Sequence, residues 1–212
     1  MADATFFGRA YGFLVYRAPE LKRNLYFKPI MFETINEYLN GRIALENQGF
    51  KFKAIVLDGR PGVRNLFLDI PVQMCHFHQK QIIRRYLTYH PQLESGIELK
   101  AIADTLTYTT EKQFTKELFA WHDKWAEFLK ERTTNPTTGK WYYTHKRTRS
   151  AFRSLKTNLP YLFTYLKYPE LNIPRTTNSL DGSFAWLKQK VGIHRGYTKQ
   201  LKDKIITYIL GN

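Results

Sequence analysis

The chain has 212 residues, of which 43% are hydrophobic and 16% aromatic; this composition excludes a disordered segment and fits one large domain. Its 33 Lys and Arg against 18 Asp and Glu give a net charge of +15, which favours a polyanion such as DNA as a partner. No apolar run approaches the roughly 18 residues that cross a bilayer, and Cys75 is the only cysteine, so we exclude a membrane span and an internal disulfide.

The first 90 residues have the alternating pattern of an α/β fold. Aromatic and β-branched runs are typical of strands, and the first three of them predict a small antiparallel sheet. A helical repeat of apolar residues predicts a helix that Gly49 ends, and its members are Phe32, Ile35, Leu39 and Ile43. We expect strands over 4–7, 11–17, 25–30, 52–57 and 70–77, and helices over 32–48 and 78–89.

The strand pattern ends at Pro91, and the pattern of the rest of the chain predicts helices. Apolar residues at spacings of 4, 3, 4 and 3 predict one helix over 111–132 and place Trp121 and Trp125 in the core. A polar turn over 133–139 and helical patterns over 144–158 and from 178 to the C-terminus follow. We therefore divide the chain into an α/β core (1–90), an all-helical insertion (91–170) and C-terminal helices that complete the core (171–212).

Basic residues are concentrated in the last third of the chain. Residues 140–212 contain 14 Lys and Arg but only three acids. In residues 140–147 the basic side chains stand beside aromatic ones, which is typical of sites that combine phosphate contacts with base stacking. The pattern indicates a DNA-binding surface, with a merely solvated basic surface as the alternative.

Three aspartates stand where predicted elements begin or end. Asp3 precedes the first strand, Asp58 ends a buried strand, and Asp181 lies in the first turn of a helix. If the three carboxylates converge, their mutual repulsion requires a divalent cation, and oxygen ligands suit Mg²⁺ or Mn²⁺. Each of them could instead be a turn or cap residue, since Asp-Gly is a common turn pair and acids are favoured in the first turn of a helix.

Four segments taken together resemble a known protein family. They are Asp3-Ala4-Thr5-Phe6-Phe7, Leu57-Asp58-Gly59, Pro71-Val72-Gln73-Met74-Cys75-His76-Phe77-His78 and Thr176-Thr177-Asn178-Ser179-Leu180-Asp181-Gly182. Their order along essentially the whole chain resembles bacterial insertion-sequence transposases of the mutator-like group of the DDE class. The resemblance implies a ribonuclease-H-like mixed sheet flanked by helices, with an all-α insertion before the last catalytic helix.

The same resemblance implies a reaction and its partners. Asp3 and Asp58 would ligate two Mg²⁺ (or Mn²⁺) ions, and Asp181 would occupy the third acidic position. Metal-dependent cleavage and strand transfer of DNA would follow at this site. The expected partners are the double-stranded ends of an insertion sequence, the target DNA and further copies of the chain, in the cytoplasm of a prokaryote at the nucleoid.

Basic and polar residues outside the three acids are assigned to DNA contacts. Lys188 follows Asp181 by seven residues, about two helical turns along the same face. Asn178 belongs to the same motif as Asp181. A basic segment of the insertion suits flanking phosphates, with a solvated helix face as the alternative; its members are Lys146, Arg147, Arg149 and Arg153.

Cys75 and His78 match the Cys-x-x-His signature that the family carries near its second acid. A zinc site needs four ligands, and the chain has no second cysteine pair, so structural support or DNA handling is favoured over zinc. His76 between them is expected to alternate along a strand.

Two features depart from the family pattern. Asp181 stands where the family usually has Glu, and its carboxylate is one methylene shorter. Asp3 stands close to Met1, so we expect a truncated first strand that loses half of its ladder bonds. The alternative function is therefore a catalytically inactive DNA-binding remnant of a transposase, and a nuclease of the same fold that does not join strands is a third possibility.

Overall fold

The structure, a computed structural model, describes residues 1–193 and 196–211 and confirms the α/β class. Its strands are β1 (Ala2–Phe6), β2 (Gly12–Ala18), β3 (Arg23–Ile30), β4 (Ile55–Leu57), β5 (Val72–Met74), β6 (Arg132–Thr134) and β7 (Trp141–Tyr143). Its helices are α1 (Ile35–Asn47), α2 (Pro61–Arg64), α3 (His76–Leu87), α4 (Glu94–Asp104), α5 (Glu111–Lys124), α6 (Ala126–Lys130), α7 (Lys146–Leu162), α8 (Thr164–Lys167), α9 (Asn178–Ile193) and α10 (Lys199–Gly211). None of the helices in these two ranges combines the length and the apolar character that crossing a bilayer requires.

The first three strands form the predicted antiparallel sheet in the order β1-β2-β3. All five residues of β1 pair with β2, and Asp3 lies opposite Val15. Asp3 therefore lies inside the first strand. The prediction that Asp3 precedes this strand was wrong. The pairing of β1 with β2 is continuous from Ala2 to Phe6.

Strands β4 and β5 form a separate two-stranded parallel sheet, and β4 lies beside β1. Ile55 pairs with Val72 and Leu57 with Met74, and the ladder continues where Cys75 N donates to Leu57 O at 2.8 Å. Because the two strands are parallel, their carboxyl ends meet at one edge. Asp58 and the start of α3 therefore lie next to each other.

Helices cover both faces of strand β2. Phe13 and Val15 point to α9 and α10, and Leu14 and Tyr16 point to α1, as the two-residue period of a strand requires. The C-terminal helices thus pack on strands from the start of the chain. This packing fixes the position of α9 relative to β1.

A further core lies between α3 and the helices of the insertion. It contains Phe114, Leu118, Leu155 and Phe163, all fully buried. Trp121 is buried in this core as predicted, and Trp125 packs against it with part of its side chain exposed.

The insertion is not all-helical, because β6 and β7 form an antiparallel hairpin across the polar turn. The aromatic run Trp141–Tyr143 has high strand propensity, and its pairing with Arg132–Thr134 overrides the helical reading of this region. The helix expected over 111–132 is also interrupted, since Trp125 leaves helical geometry between α5 and α6. Helix α4, with Ser95 and Gly96 on its buried face, was not predicted.

Three further boundaries differ from the sequence-based prediction. The strand expected over 70–77 is confined to β5, and His76 begins α3 and does not alternate along a strand. Helix α1 begins at Ile35 because Thr34 caps it, its Oγ1 accepting from Glu37 N at 3.3 Å. The C-terminal helical pattern is divided into α9 and α10, and Asn212 lies outside the described residues.

Candidate functional site

Two aspartates and a histidine meet where β1, α3 and α9 come together. Asp3, His78 and Asp181 each offer a ligand atom, and these atoms all lie within 4.8 Å of one another. The three residues come from the first strand, the first turn of α3 and the first turn of α9. The fold thus brings together side chains from both ends of the chain.

Asp58 lies near this group but is not a member of it. It directly follows β4, and its Oδ1 accepts a hydrogen bond from Arg60 N at 3.1 Å in the following turn. Its charge acts on Asp3, whose pKa it helps to raise. The structure therefore brings Asp3 and Asp181 into direct proximity and places Asp58 as a neighbour.

The carboxyl group of Asp3 lies in an unfavourable environment for a negative charge. The residue is 9% exposed, and its Oδ1 accepts from Ala4 N at 2.8 Å. Burial raises the pKa of Asp3 to about 7, with the charges of Asp58 and Asp181 adding to the effect and His78 opposing it. Such a carboxylate gains stability from any cation that reaches it.

Thr177 connects the group to the Cys-x-x-His segment. Its buried hydroxyl donates to Oδ2 of Asp181 at 2.8 Å and lies 3.3 Å from Cys75 Sγ and 3.4 Å from His78 Nδ1. Thr177 N also donates to Cys75 Sγ at 3.3 Å.

Cys75 and His78 interact with each other and shift each other's pKa values. Burial lowers the pKa of His78, but its hydrogen bond and charge interaction with Cys75 and the charges of Asp3 and Asp181 outweigh burial and raise it to about 9. Burial raises the pKa of the Cys75 thiol, and its hydrogen bonds with His78 and Thr177 more than reverse this, so the pKa is lowered. His78 therefore holds a positive charge beside Asp3 and Asp181 at neutral pH.

The turn after Asp58 depends on glycine and on a buried arginine. Gly59 has a φ of +95°, and a Cβ at this position would meet Met74 Sδ at 2.2 Å. Arg64 donates from Nη2 to Gly59 O at 3.3 Å and to Asn158 Oδ1 at 2.7 Å, which ties the turn to α7. These contacts fix the turn that follows Asp58 and so hold Asp58 in place at the end of β4.

Sequence reasoning assigned no role to three residues of this site, namely Thr177, Arg64 and Asn158. Thr177 lies in the same motif as Asp181. Its position at the start of a helix, four residues before an acid, could have indicated a hydrogen bond between the two side chains. Arg64 and Asn158 are far apart in sequence and carry no local pattern that would have linked them.

The residues assigned to DNA contacts on α9 lie on the surface. Lys188 is exposed about two turns after Asp181, and Asn178 is exposed at the first position of the helix.

The assigned basic residues of α7 divide into two kinds. Lys146 and Arg153 are exposed. Arg147 donates to Tyr86 O at 2.7 Å and Arg85 O at 2.9 Å, and so holds the start of α7 on the last turn of α3. Arg149 donates to Leu129 O at 2.5 Å. The last two side chains thus have structural contacts as well as charge.

Comparisons with protein families, with curated proteins and with solved structures find no match to this chain.

Proposed function

We propose that the chain is the catalytic domain of a DDE-type transposase that cuts and joins DNA with Mg²⁺ or Mn²⁺. The observation that carries this proposal is the meeting of Asp3 and Asp181 from opposite ends of the chain, with Asp58 beside them. These are the three acids that the family resemblance selects. Convergence of this kind is unexpected if each acid is only a turn or cap residue.

The arrangement of the strands supports a ribonuclease-H-like sheet. Three antiparallel strands lie beside two parallel ones, and β1 and β4 are the neighbours. Joined along these neighbours, the five strands would make a mixed sheet with helices on both faces. Asp3 and Asp58 would then stand on adjacent strands.

The donor set fits a hard divalent cation. Carboxylate oxygens are the ligands that Mg²⁺ and Mn²⁺ prefer, and burial raises the pKa of Asp3, an effect that a bound cation would oppose. Asp3, Asp58 and Asp181 would hold the ions, and Thr177 would keep the Asp181 carboxylate oriented through its hydrogen bond. Bound Mg²⁺ would supply Lewis-acid stabilisation of the attacking and leaving oxygens in phosphoryl transfer.

The charge distribution supports DNA as the substrate. Lys188 and Asn178 lie on α9, the helix that also carries Asp181. A DNA backbone bound at the three aspartates would therefore pass along this helix. The basic residues of α7 would contact the flanking DNA. We further propose that the chain acts as a homo-oligomer, because cutting and joining two DNA ends requires two copies of the site.

Nicking and joining of DNA by the purified chain tests the proposal. The substrates are supercoiled plasmid and a pre-cleaved duplex with a free 3′-hydroxyl, each with Mg²⁺, Mn²⁺ or EDTA. We expect metal-dependent products from the wild type and none from Asp58→Asn or Asp3→Asn, with DNA binding retained. Asp123→Asn is the matched control, because Asp123 is an exposed acid on α5 away from the site.

Each alternative function gives a different result in the same assay. A wild-type chain that binds DNA but neither nicks nor joins it supports the inactive remnant. Hydrolysis without joining supports the nuclease. Metal-dependent activity that survives in Asp58→Asn contradicts the assignment of the acids.

A further inference from the structure

The β6–β7 hairpin presents aromatic rings to solvent. Trp141 is 53% exposed and Tyr142 is 45% exposed. Large aromatic side chains normally supply core packing, and the core of the insertion is formed by other residues. Trp141 and Tyr142 are therefore accessible to a ligand.

Cations surround these rings. The Arg132 guanidinium lies 4.1 Å from the centre of the Trp141 ring and 5.7 Å from that of Tyr143. Arg149 lies 3.6 Å from the centre of the Tyr143 ring, and the rings of Trp141 and Tyr143 meet edge to face at 5.4 Å. Trp141 and Tyr143 share one face of β7, so this face carries two rings between two guanidinium groups.

A basic pocket adjoins the hairpin. Its volume is about 200 Å³, and it is lined by His122, Leu129, Arg149, Phe152, Arg153 and Lys156. Arg149 belongs both to the pocket and to the ring cluster of the hairpin. A single ligand can therefore contact the rings and the pocket together.

The charge of this region is not neutralised within the protein. Residues 130–156 contain eight Lys and Arg and one acid, Glu131, which pairs with His145 at 2.8 Å; of the eight, Lys130 pairs with Glu127 at 2.7 Å. Within the described ranges, neither Arg132, Arg149 nor Arg153 takes part in a salt bridge. A polyanion would supply the missing negative charge.

We propose that the surface formed by Trp141, Tyr143, Arg132 and Arg149, together with the adjacent pocket, binds single-stranded DNA. Bases stack on Trp141, and phosphates lie at Arg153 and Lys156. Duplex DNA does not offer the faces of its bases, so the rings select unpaired nucleotides. This inference rests on the proposed DNA substrate but does not require the catalytic acids to be active.

The position of the surface fits a DNA end that is being processed. Arg147 fixes the start of α7, directly after the hairpin, to the last turn of α3. That turn is roughly 12 Å along α3 from His78, given a rise of about 1.5 Å per residue. An unpaired stretch of a few nucleotides spans such a distance.

The test compares a 5′-labelled single-stranded oligonucleotide with a duplex of the same length, by fluorescence anisotropy in EDTA. We expect Trp141→Ala to weaken binding of the single strand by about 5- to 150-fold and to change duplex binding far less. Trp141→Phe keeps an aromatic face and should restore most of the loss. Tyr108→Ala is the matched control, because Tyr108 is an exposed ring between α4 and α5.

The pocket is tested separately with the double variant Arg153→Gln/Lys156→Gln. Loss of two phosphate contacts should reduce the slope of log affinity against log salt for single strands by about 1.4. Unchanged single-strand affinity in Trp141→Ala, or an equal loss for single strand and duplex, would overturn the inference. These results are independent of nicking by the wild type and Asp58→Asn, so the failure of one proposal is distinguishable from the failure of the other.

Discussion

Thr177 donates a hydrogen bond to Asp181 across one helical turn, from Oγ1 to Oδ2 at 2.8 Å. The threonine is fully buried, and the aspartate is half-buried at the start of α9. The pair fixes the direction of a carboxylate that would otherwise rotate. Orientation of this kind is what a metal ligand or a catalytic acid requires.

Thr177→Val removes this hydrogen bond but keeps the shape of the side chain. We expect it to lower the free energy of unfolding by about 1 kcal/mol, because Asp181 is partly solvated and water replaces part of the bond. Thr177→Ser keeps the hydroxyl and should remain closer to the wild type. Urea unfolding measures both variants, and equal losses in both would contradict a role for the hydroxyl.

Asp3 should make the stability of the metal-free protein depend on pH. Burial raises its pKa from 3.8 to about 7, so the folded protein binds the proton more tightly than the unfolded chain. The contribution to stability is full below pH 3.8 and is lost as the pH rises to about 7. In EDTA, the free energy of unfolding should therefore decrease over this range more steeply in the wild type than in Asp3→Asn.

Added Mg²⁺ gives the control for this prediction. A cation favours the ionised carboxylate, so it should flatten the pH dependence of the wild type and leave that of Asp3→Asn nearly unchanged. Parallel pH profiles for the two proteins in EDTA would show that Asp3 does not titrate in this range.

Asn158 should be essential for burying Arg64. Arg64 is 5% exposed, and Asn158 accepts from its guanidinium while donating from Nδ2 to Gln79 Oε1 at 2.6 Å. Asn158→Leu leaves the charged group without this acceptor, and we expect a loss of about 2–3 kcal/mol in the free energy of unfolding. The double variant Arg64→Met/Asn158→Leu removes both polar partners and should cost less than the sum of the single changes. Additive losses would mean that the two side chains do not interact.

Two leucines of α1 should differ in their contribution to stability. Leu45 is 1% exposed, whereas Leu39 is 37% exposed. We expect Leu45→Ala to lower the free energy of unfolding by about 2–5 kcal/mol, the usual cost of a buried cavity. Leu39→Ala should cost well under half of that, because much of its side chain already contacts water. Thermal and urea unfolding of the two variants give the comparison, and similar losses would place Leu39 in a packed environment.

The same helix shows how far periodicity alone can predict burial. The stripe that identified α1 includes Ile35, Leu39 and Ile43, and these residues face outward. The core instead takes Tyr38, Gly41 and Leu45. Gly41 allows the close approach, because a Cβ there would lie 2.5 Å from Tyr16 Cε2. A helical spacing reveals a helix, but the partner surface decides which face is buried.

Features that depend on neighbouring residues could be predicted from the sequence. These are the class of fold, most helices and strands, the placement of Asp58 and Asp181 at the ends of elements, and the basic character of the last third. Propensity, capping and turn chemistry act over a few residues, so these features can be predicted from short segments of the sequence.

Contacts between residues that are far apart in the chain could not be predicted in this way. Asp3 meets Asp181 because α9 packs on the strands at the start of the chain, and Arg132 pairs with Tyr143 because the hairpin closes across its turn. Thr177 reaches His78 and Cys75 for the same reason. Burial and strand pairing of this kind depend on how the whole chain folds. They therefore cannot be predicted from a short segment of the sequence.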